Sequence, residues 1–71
     1  MKNEVVVRFG QRVRAQRLKM GLSQEALAER AGVHRTYIGM IERAEKNVTI
    51  ATVDKICKAL GISMSQCLED P

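Results

Sequence analysis

Residues 23–43, SQEALAERAGVHRTYIGMIER, read as two short helices joined by a turn too tight to hold anything else. Ser23 has the side chain of an N-cap, Gln24 and Glu25 fill the first turn behind it, and Leu27, Ala28 and Ala31 form one apolar side until Gly32 ends the segment. The next helix runs from about His34 to Arg43. The link between the two is so short that the helices must cross at a steep angle and cannot lie antiparallel.

The second of these helices has two faces. Each helical residue advances by about 100°, so Ile38 and Ile41 fix one buried direction, and Thr36, Gly39, Met40 and Arg43 fall within about 50° of the opposite one. Arg35 sits on the flank near the N-terminal end. That outward stripe has the chemistry to enter a DNA major groove. Arg35 could give two hydrogen bonds to guanine O6 and N7, and Thr36 could meet a thymine methyl or a phosphate. Gly39 would let the helix axis approach the groove floor, at a cost in helix propensity of about 1 kcal/mol. The alternative is an ordinary solvated face with a tolerated glycine. Glu42 lies about 70° from the buried direction, where an unpaired carboxylate is costly, so it needs a cation. Arg12, Arg14 and Arg17 are the candidates, since an arginine satisfies a carboxylate through two parallel hydrogen bonds.

Outward from this pair, about Val5 to Met20 reads as an amphipathic helix with Val6, Phe9, Val13 and Leu18 on one stripe and Gly21 at its end. Val5-Val6-Val7 also fits a short extended arm. Thr49 can cap a fourth helix carrying Ile50, Val53, Ile56 and Leu60, with Gly61 as its stop, and Ser63 to Leu68 makes one last turn or two. No linker, low-complexity tract or repeat interrupts the pattern, so residues 1–71 are expected to form a single all-α domain.

Seventy-one residues leave little room for an enclosed catalytic cleft, and with one Phe, one Tyr and no Trp the core must rest on aliphatic side chains. Twelve Lys and Arg against eight Asp and Glu give a net charge of +4, which suits a polyanion without proving one. Cys57 and Cys67 are too few for a disulfide scaffold or zinc finger and read as small apolar side chains in a reducing cytoplasm. The single histidine completes no ligand set, so neither metal nor cofactor is expected. No run approaches the ~20 apolar residues of a membrane span and no cleavable leader is visible, which points to a cytoplasmic protein.

The spacing Gln24-x-x-Leu27-Ala28-x-x-x-Gly32-Val33-x-x-x-x-Ile38-x-x-Ile41-Glu42 resembles the helix-turn-helix of the Cro/CI-type (XRE-family) DNA-binding regulators, over about residues 8 to 62. Ala28 is small where two helices cross, Gly32 suits the tight turn, and Val33, Ile38 and Ile41 anchor the second helix. The stretch from His34 to Ile50 is also similar to the small controller proteins of restriction-modification systems. The resemblance implies a compact five-helix, lambda-repressor-like domain with the motif formed by helices two and three. It implies that Gln24 contacts a phosphate, that Arg35, Thr36 and their neighbours Gly39 and Met40 read bases, and that Arg43, Lys46 and Asn47 grip the backbone. It also pairs Arg17 with Glu42.

There are departures. His34 stands where relatives place Ser, Thr or Asp, which predicts a weaker cap or, alternatively, an imidazole contact to phosphate. Ala44-Glu45 replaces the commoner Gly or Asn, and Glu45 is expected to point away from phosphate. Tyr37 either packs over the domain edge or gives its hydroxyl to a phosphate.

One helix reads few base pairs, so a homodimer on a near-palindromic double-stranded site is expected, with recognition helices about 34–36 Å apart. Ile62, Met64, Cys67 and Leu68 are the candidates for that contact, or else they close the monomer core. Without a second domain no small-molecule ligand is expected. Regulation would follow from protein concentration and, in an activator, from a surface touching RNA polymerase. An antitoxin-like interaction module is the competing reading. An enzyme is not, since no nucleophile-base pair, metal set or phosphate loop is present.

Overall fold

The computed structural model describes residues 4–68, without the side chain of Leu68. It contains five helices: α1 (Glu4–Lys19), α2 (Gln24–Ala31), α3 (Arg35–Glu42), α4 (Ile50–Leu60) and α5 (Met64–Leu68). No strand occurs among the described residues. Helix α1 starts at Glu4, so the three valines are helical and form no extended arm. Its buried line is Phe9, Gly10, Val13 and Arg17, which corrects the stripe read through Leu18. From Phe9 to Leu18 the helix makes about two and a half turns, so Leu18 faces the opposite way and is 54% exposed.

Helices α1 to α4 all end with the same backbone pattern. After α2, Val33 N–H donates to the Ala28 carbonyl at 3.0 Å and Gly32 N–H to the Glu29 carbonyl at 3.3 Å. The equivalent pairs join Leu22 to Arg17 and Gly21 to Leu18, Glu45 to Met40 and Ala44 to Ile41, and Ile62 to Cys57 and Gly61 to Lys58. This termination requires one residue in the left-handed region, and Gly32 takes it at φ 70° without a Cβ to obstruct it. After α3 the same duty falls on Ala44 at φ 57°, where an L side chain costs about 1–2 kcal/mol.

The helix starts are equally explicit. Ser23 Oγ accepts from Ala26 N–H at 3.0 Å, and Thr49 Oγ1 from Thr52 N–H at 3.2 Å. At α5 the capping is reciprocal, Ser63 Oγ accepting from Gln66 N–H at 3.1 Å while Gln66 Oε1 accepts from Ser63 N–H at 2.9 Å.

Phe9, Val13, Leu27, Ile38, Ile41, Ile56 and Leu60 fill the core, each fully enclosed. Val53, Ile56 and Leu60 bury the face of α4 as read, whereas Ile50, its first residue, lies beyond the edge of the core and is 72% exposed. Cys57 and Cys67 are buried, as small apolar side chains should be, but they are joined by a disulfide between α4 and α5 across a Cα–Cα distance of 6.7 Å. The expectation of two separate thiols is corrected accordingly. Cys67 has no exposed surface and cannot contribute to a dimer contact. Ile62 and Met64 are half-buried and pack against the core, which is the closing role also allowed for them. The Leu68 side chain lies outside the described residues. Among those residues no helix is long and apolar enough to cross a membrane.

Gly10, which no motif signals, lets α1 approach the end of α3 closely. A Cβ there would land on the Ile41 carbonyl oxygen and lie 3.2 Å from the Glu42 carbonyl oxygen and 3.3 Å from Glu42 Cα. These are backbone atoms at the end of α3 and cannot swing aside. Gly10→Ala must therefore push α1 off α3, and is expected to lower the unfolding free energy by about 1–3 kcal/mol in urea titrations. A denaturation midpoint equal to that of the unaltered chain would contradict this close approach.

Candidate nucleic-acid interface

The site is assembled on one buried ion pair. Arg17 Nε donates to Glu42 Oε2 at 2.7 Å and Arg17 Nη2 to Glu42 Oε1 at 3.0 Å, the two-pronged geometry expected for this pairing. Of the three arginines that charge balance allowed, α1 supplies Arg17 because it lies on the Phe9–Val13 line that faces α3. The side chains are 9% and 3% exposed. The hydrogen bond to Glu42 holds the Arg17 pKa above its ordinary value although burial pulls it down, so the guanidinium is charged at every practical pH. Its Nη1 also donates to the Leu22 carbonyl at 2.9 Å, just beyond the end of α1.

Glu42 accepts one further bond, from Gln24 Nε2 at 3.2 Å. Gln24 is the first residue of α2, so one carboxylate holds α1, α2 and α3 together. An amide nitrogen bears two hydrogens, and one of them remains for a ligand oxygen at the α2 N-terminus. The structure thus brings together Gln24, Glu42 and Arg17, which the sequence spreads over 26 positions from Arg17 to Glu42 inclusive.

Outward from this clamp lies a concavity lined by Gln24, Glu25, Arg35, Thr36, Gly39 and Arg43. Five of these six were read from sequence as DNA-contacting residues. Arg35 and Thr36 are exposed, as expected. Gly39 is not: it is buried, which corrects its assignment to the open outer face. Its cover is not the apolar core. A Cβ at Gly39 would lie 3.1 Å from Arg43 Nη1 and 3.5 Å from Gln24 Oε1, so the glycine makes room for two polar side chains folded across α3. Met40 is half-buried beside it.

The remaining candidates frame this concavity. Tyr37 is half-buried against the core, and Lys46 Nζ stands 4.9 Å from the centre of its ring, a cation over an aromatic face. The packing reading of Tyr37 is thereby realised, and Lys46 and Asn47 remain exposed on the loop after α3. His34 departs from the expected weak cap: its Nδ1 accepts from Thr36 N–H at 3.2 Å, doing the work of a Ser or Asp, and also contacts Thr36 Oγ1. Glu45 forms an ion pair with Arg43, its Oε2 lying 3.0 Å from Arg43 Nε.

Glu25 is the member of the concavity that sequence reasoning missed. It was read as an ordinary first-turn acid, and its Oε1 accepts from Arg35 Nη1 at 2.7 Å. A carboxylate ten residues before an arginine across a tight turn gives no periodic signal in either helix. Among the described residues no group of His, Cys, Asp or Glu is arranged to hold a metal.

Comparison with known proteins agrees with this geometry. The helix-turn-helix family matches residues 13–66. The chain is 46% identical over 70 residues to the control protein C.BamHI of Bacillus amyloliquefaciens, an alignment covering 97% of this chain and 86% of the relative. It is 50% identical over 60 residues to the control protein C.SmaI of Serratia marcescens, covering 84% and 71%. The crystal structure of the restriction-modification controller protein C.AhdI from Aeromonas hydrophila superposes with a TM-score of 0.84 at 42% identity, covering 87% of this chain and 94% of that one.

Gly39→Ala separates folding from the site. The contact it creates is with the tip of a flexible side chain, so the added methyl is expected to raise stability by up to about 1 kcal/mol through helix propensity. At the same time it lifts Arg43 and Gln24 from their resting places, and duplex DNA binding should weaken. A variant that binds DNA with unchanged affinity would show that the positions of Arg43 and Gln24 over Gly39 do not matter.

Proposed function

We propose, from the premise that the chain belongs to the helix-turn-helix (XRE) family of DNA-binding transcription regulators, that it acts as a homodimer on a near-palindromic double-stranded operator and controls the genes of a restriction-modification system. The observation that carries this reading is the concave face where Gln24, at the start of α2, converges with Arg35, Thr36, Gly39 and Arg43 along the length of α3. Control proteins at 46% and 50% identity support the narrower role.

In this mechanism the N-terminal part of α3 enters the major groove. Arg35 reads guanine through donors that Glu25 leaves unoccupied, and the methyl of Thr36 meets thymine. The second amide hydrogen of Gln24, together with the uncapped amides at the start of α2, takes a phosphate oxygen. Arg43, Lys46 and Asn47 hold the backbone on the far side. These contacts fix register and supply most of the affinity by displacing condensed counterions.

A monomer of this kind binds weakly, and a second copy doubles the site. The apolar surface for that contact is a groove whose rim carries Val5, Val6, Val48, Ile50 and Met64 over the buried Phe9 and Val53, with Ile50 its most exposed member. Concentration then becomes the regulatory signal, acting through dimerisation in the cytoplasm, with RNA polymerase the natural partner of the bound dimer.

Fluorescence anisotropy tests the reading with duplexes from upstream of the chain's own gene against scrambled duplexes at several salt concentrations. Arg35→Ala is expected to lose about 1–3 kcal/mol of sequence preference, whereas Gln24→Ala weakens all duplexes more evenly. Affinities independent of sequence at moderate salt would overturn the proposal.

A further inference from the structure

The concave face holds a carboxylate that base reading and phosphate contact both leave unused. Glu25 and Arg35 are 69% and 67% exposed, their side chains meet at 2.7 Å, and both line the concavity with Gln24, Thr36, Gly39 and Arg43. A negative charge here lowers affinity for every duplex, because it repels phosphate and compensates a cation that would otherwise displace a counterion. Capping of α2 does not explain it, since Ser23 supplies the cap.

The contact itself suggests what the charge does. The bond to Glu25 engages Nη1 of Arg35, and a guanidinium has five N–H donors in a fixed plane. A carboxylate on one corner of that plane orients the remaining donors. It also makes two classes of DNA acceptor unequal. A phosphate approaching Arg35 brings a second anion against Glu25, whereas guanine O6 and N7 are neutral acceptors and meet no such repulsion.

Resting on the DNA-reading function above, we propose that Glu25 is a specificity-determining residue: it positions the Arg35 guanidinium for a guanine edge and keeps it from binding the phosphates that every sequence offers. Arg35 thereby becomes a reader of bases more than a contributor to general affinity. The same pairing gives a role to an acidic side chain on a surface that faces a polyanion.

The experiment uses the full chain, with a preferred duplex selected by the unaltered protein from a random pool and a scrambled duplex of the same composition. Glu25→Gln is expected to tighten binding of the scrambled duplex about tenfold and that of the preferred duplex by less than about threefold, and to steepen the salt dependence on the scrambled duplex by about one released counterion. In an Arg35→Ala background Glu25→Gln should change both duplexes by one common factor. Asp54→Asn removes an equal charge from a pair with Lys58 on α4 and should leave the ratio of the two affinities unchanged. Circular dichroism verifies that each variant is folded. If Glu25→Gln tightens both duplexes equally, or lowers the ratio as much without Arg35 as with it, the proposal is overturned while the DNA-reading function stands. If the selection yields no preferred duplex, that function fails first and the proposal with it.

Discussion

The two-pronged bond between Arg17 and Glu42 is the constraint from which the arrangement of the other groups follows. Both charges are nearly excluded from water, so neither side chain can be removed alone without leaving the other stranded, a loss of about 3–5 kcal/mol in comparable pairs. The bond forms because α1 and α3 approach closely at Gly10, where any Cβ would strike the backbone at the end of α3. Position 10 and position 17 thus belong to one device: a missing side chain that permits contact, and a long one that uses it. Gln24 is the third member, borrowing an oxygen of Glu42 and passing the rigidity of the pair to the N-terminus of α2.

Beyond this rigid interior the face is electrostatically restrained. Arg35 is bonded to Glu25 and Arg43 to Glu45, while Lys46 leans on the ring of Tyr37. The net charge of +4 therefore overstates how positive this particular surface is. On the proposed function, such a surface would attract DNA only moderately and leave discrimination to the geometry of a few donors. That division suits a regulator, whose selectivity is a ratio between one site and a great excess of competing sequence.

Much of this was legible in the residues. The caps at Ser23 and Thr49, the stop at Gly32 and the anchors Ile38 and Ile41 are local signals, because each depends on atoms within a turn or two of the chain. The need of Glu42 for a cation also followed from its angle on the helix, although three arginines met the need and only the family resemblance singled out Arg17. What escaped was set by tertiary contact. Leu18 looked like a continuation of the apolar stripe, yet the phase of the helix gave that place to a charged residue whose partner lies 25 positions away. Gly10 carries no turn signal because its role is to be touched. Gly39 was read as open when long side chains from two helices cover it. His34 was judged by its residue type, whereas the orientation of its Nδ1 decides that it caps. Cys57 and Cys67, ten positions apart, meet only because α5 folds back onto α4.

The central claim is that the Arg17–Glu42 pair, more than general packing, gives the reading face its shape. Arg17→Met, Glu42→Met and the combined variant test it most directly, each assayed for stability by urea unfolding and for discrimination between preferred and scrambled duplexes. Each single change should cost about 3–5 kcal/mol, and the combined apolar replacement should recover most of that stability. Discrimination should nevertheless stay lost in the combined variant, because without the two-pronged bond α3 and its Arg35 are no longer held at a fixed angle to α1 and α2. A doubly substituted chain that folds stably and discriminates as well as the unaltered one would contradict the account.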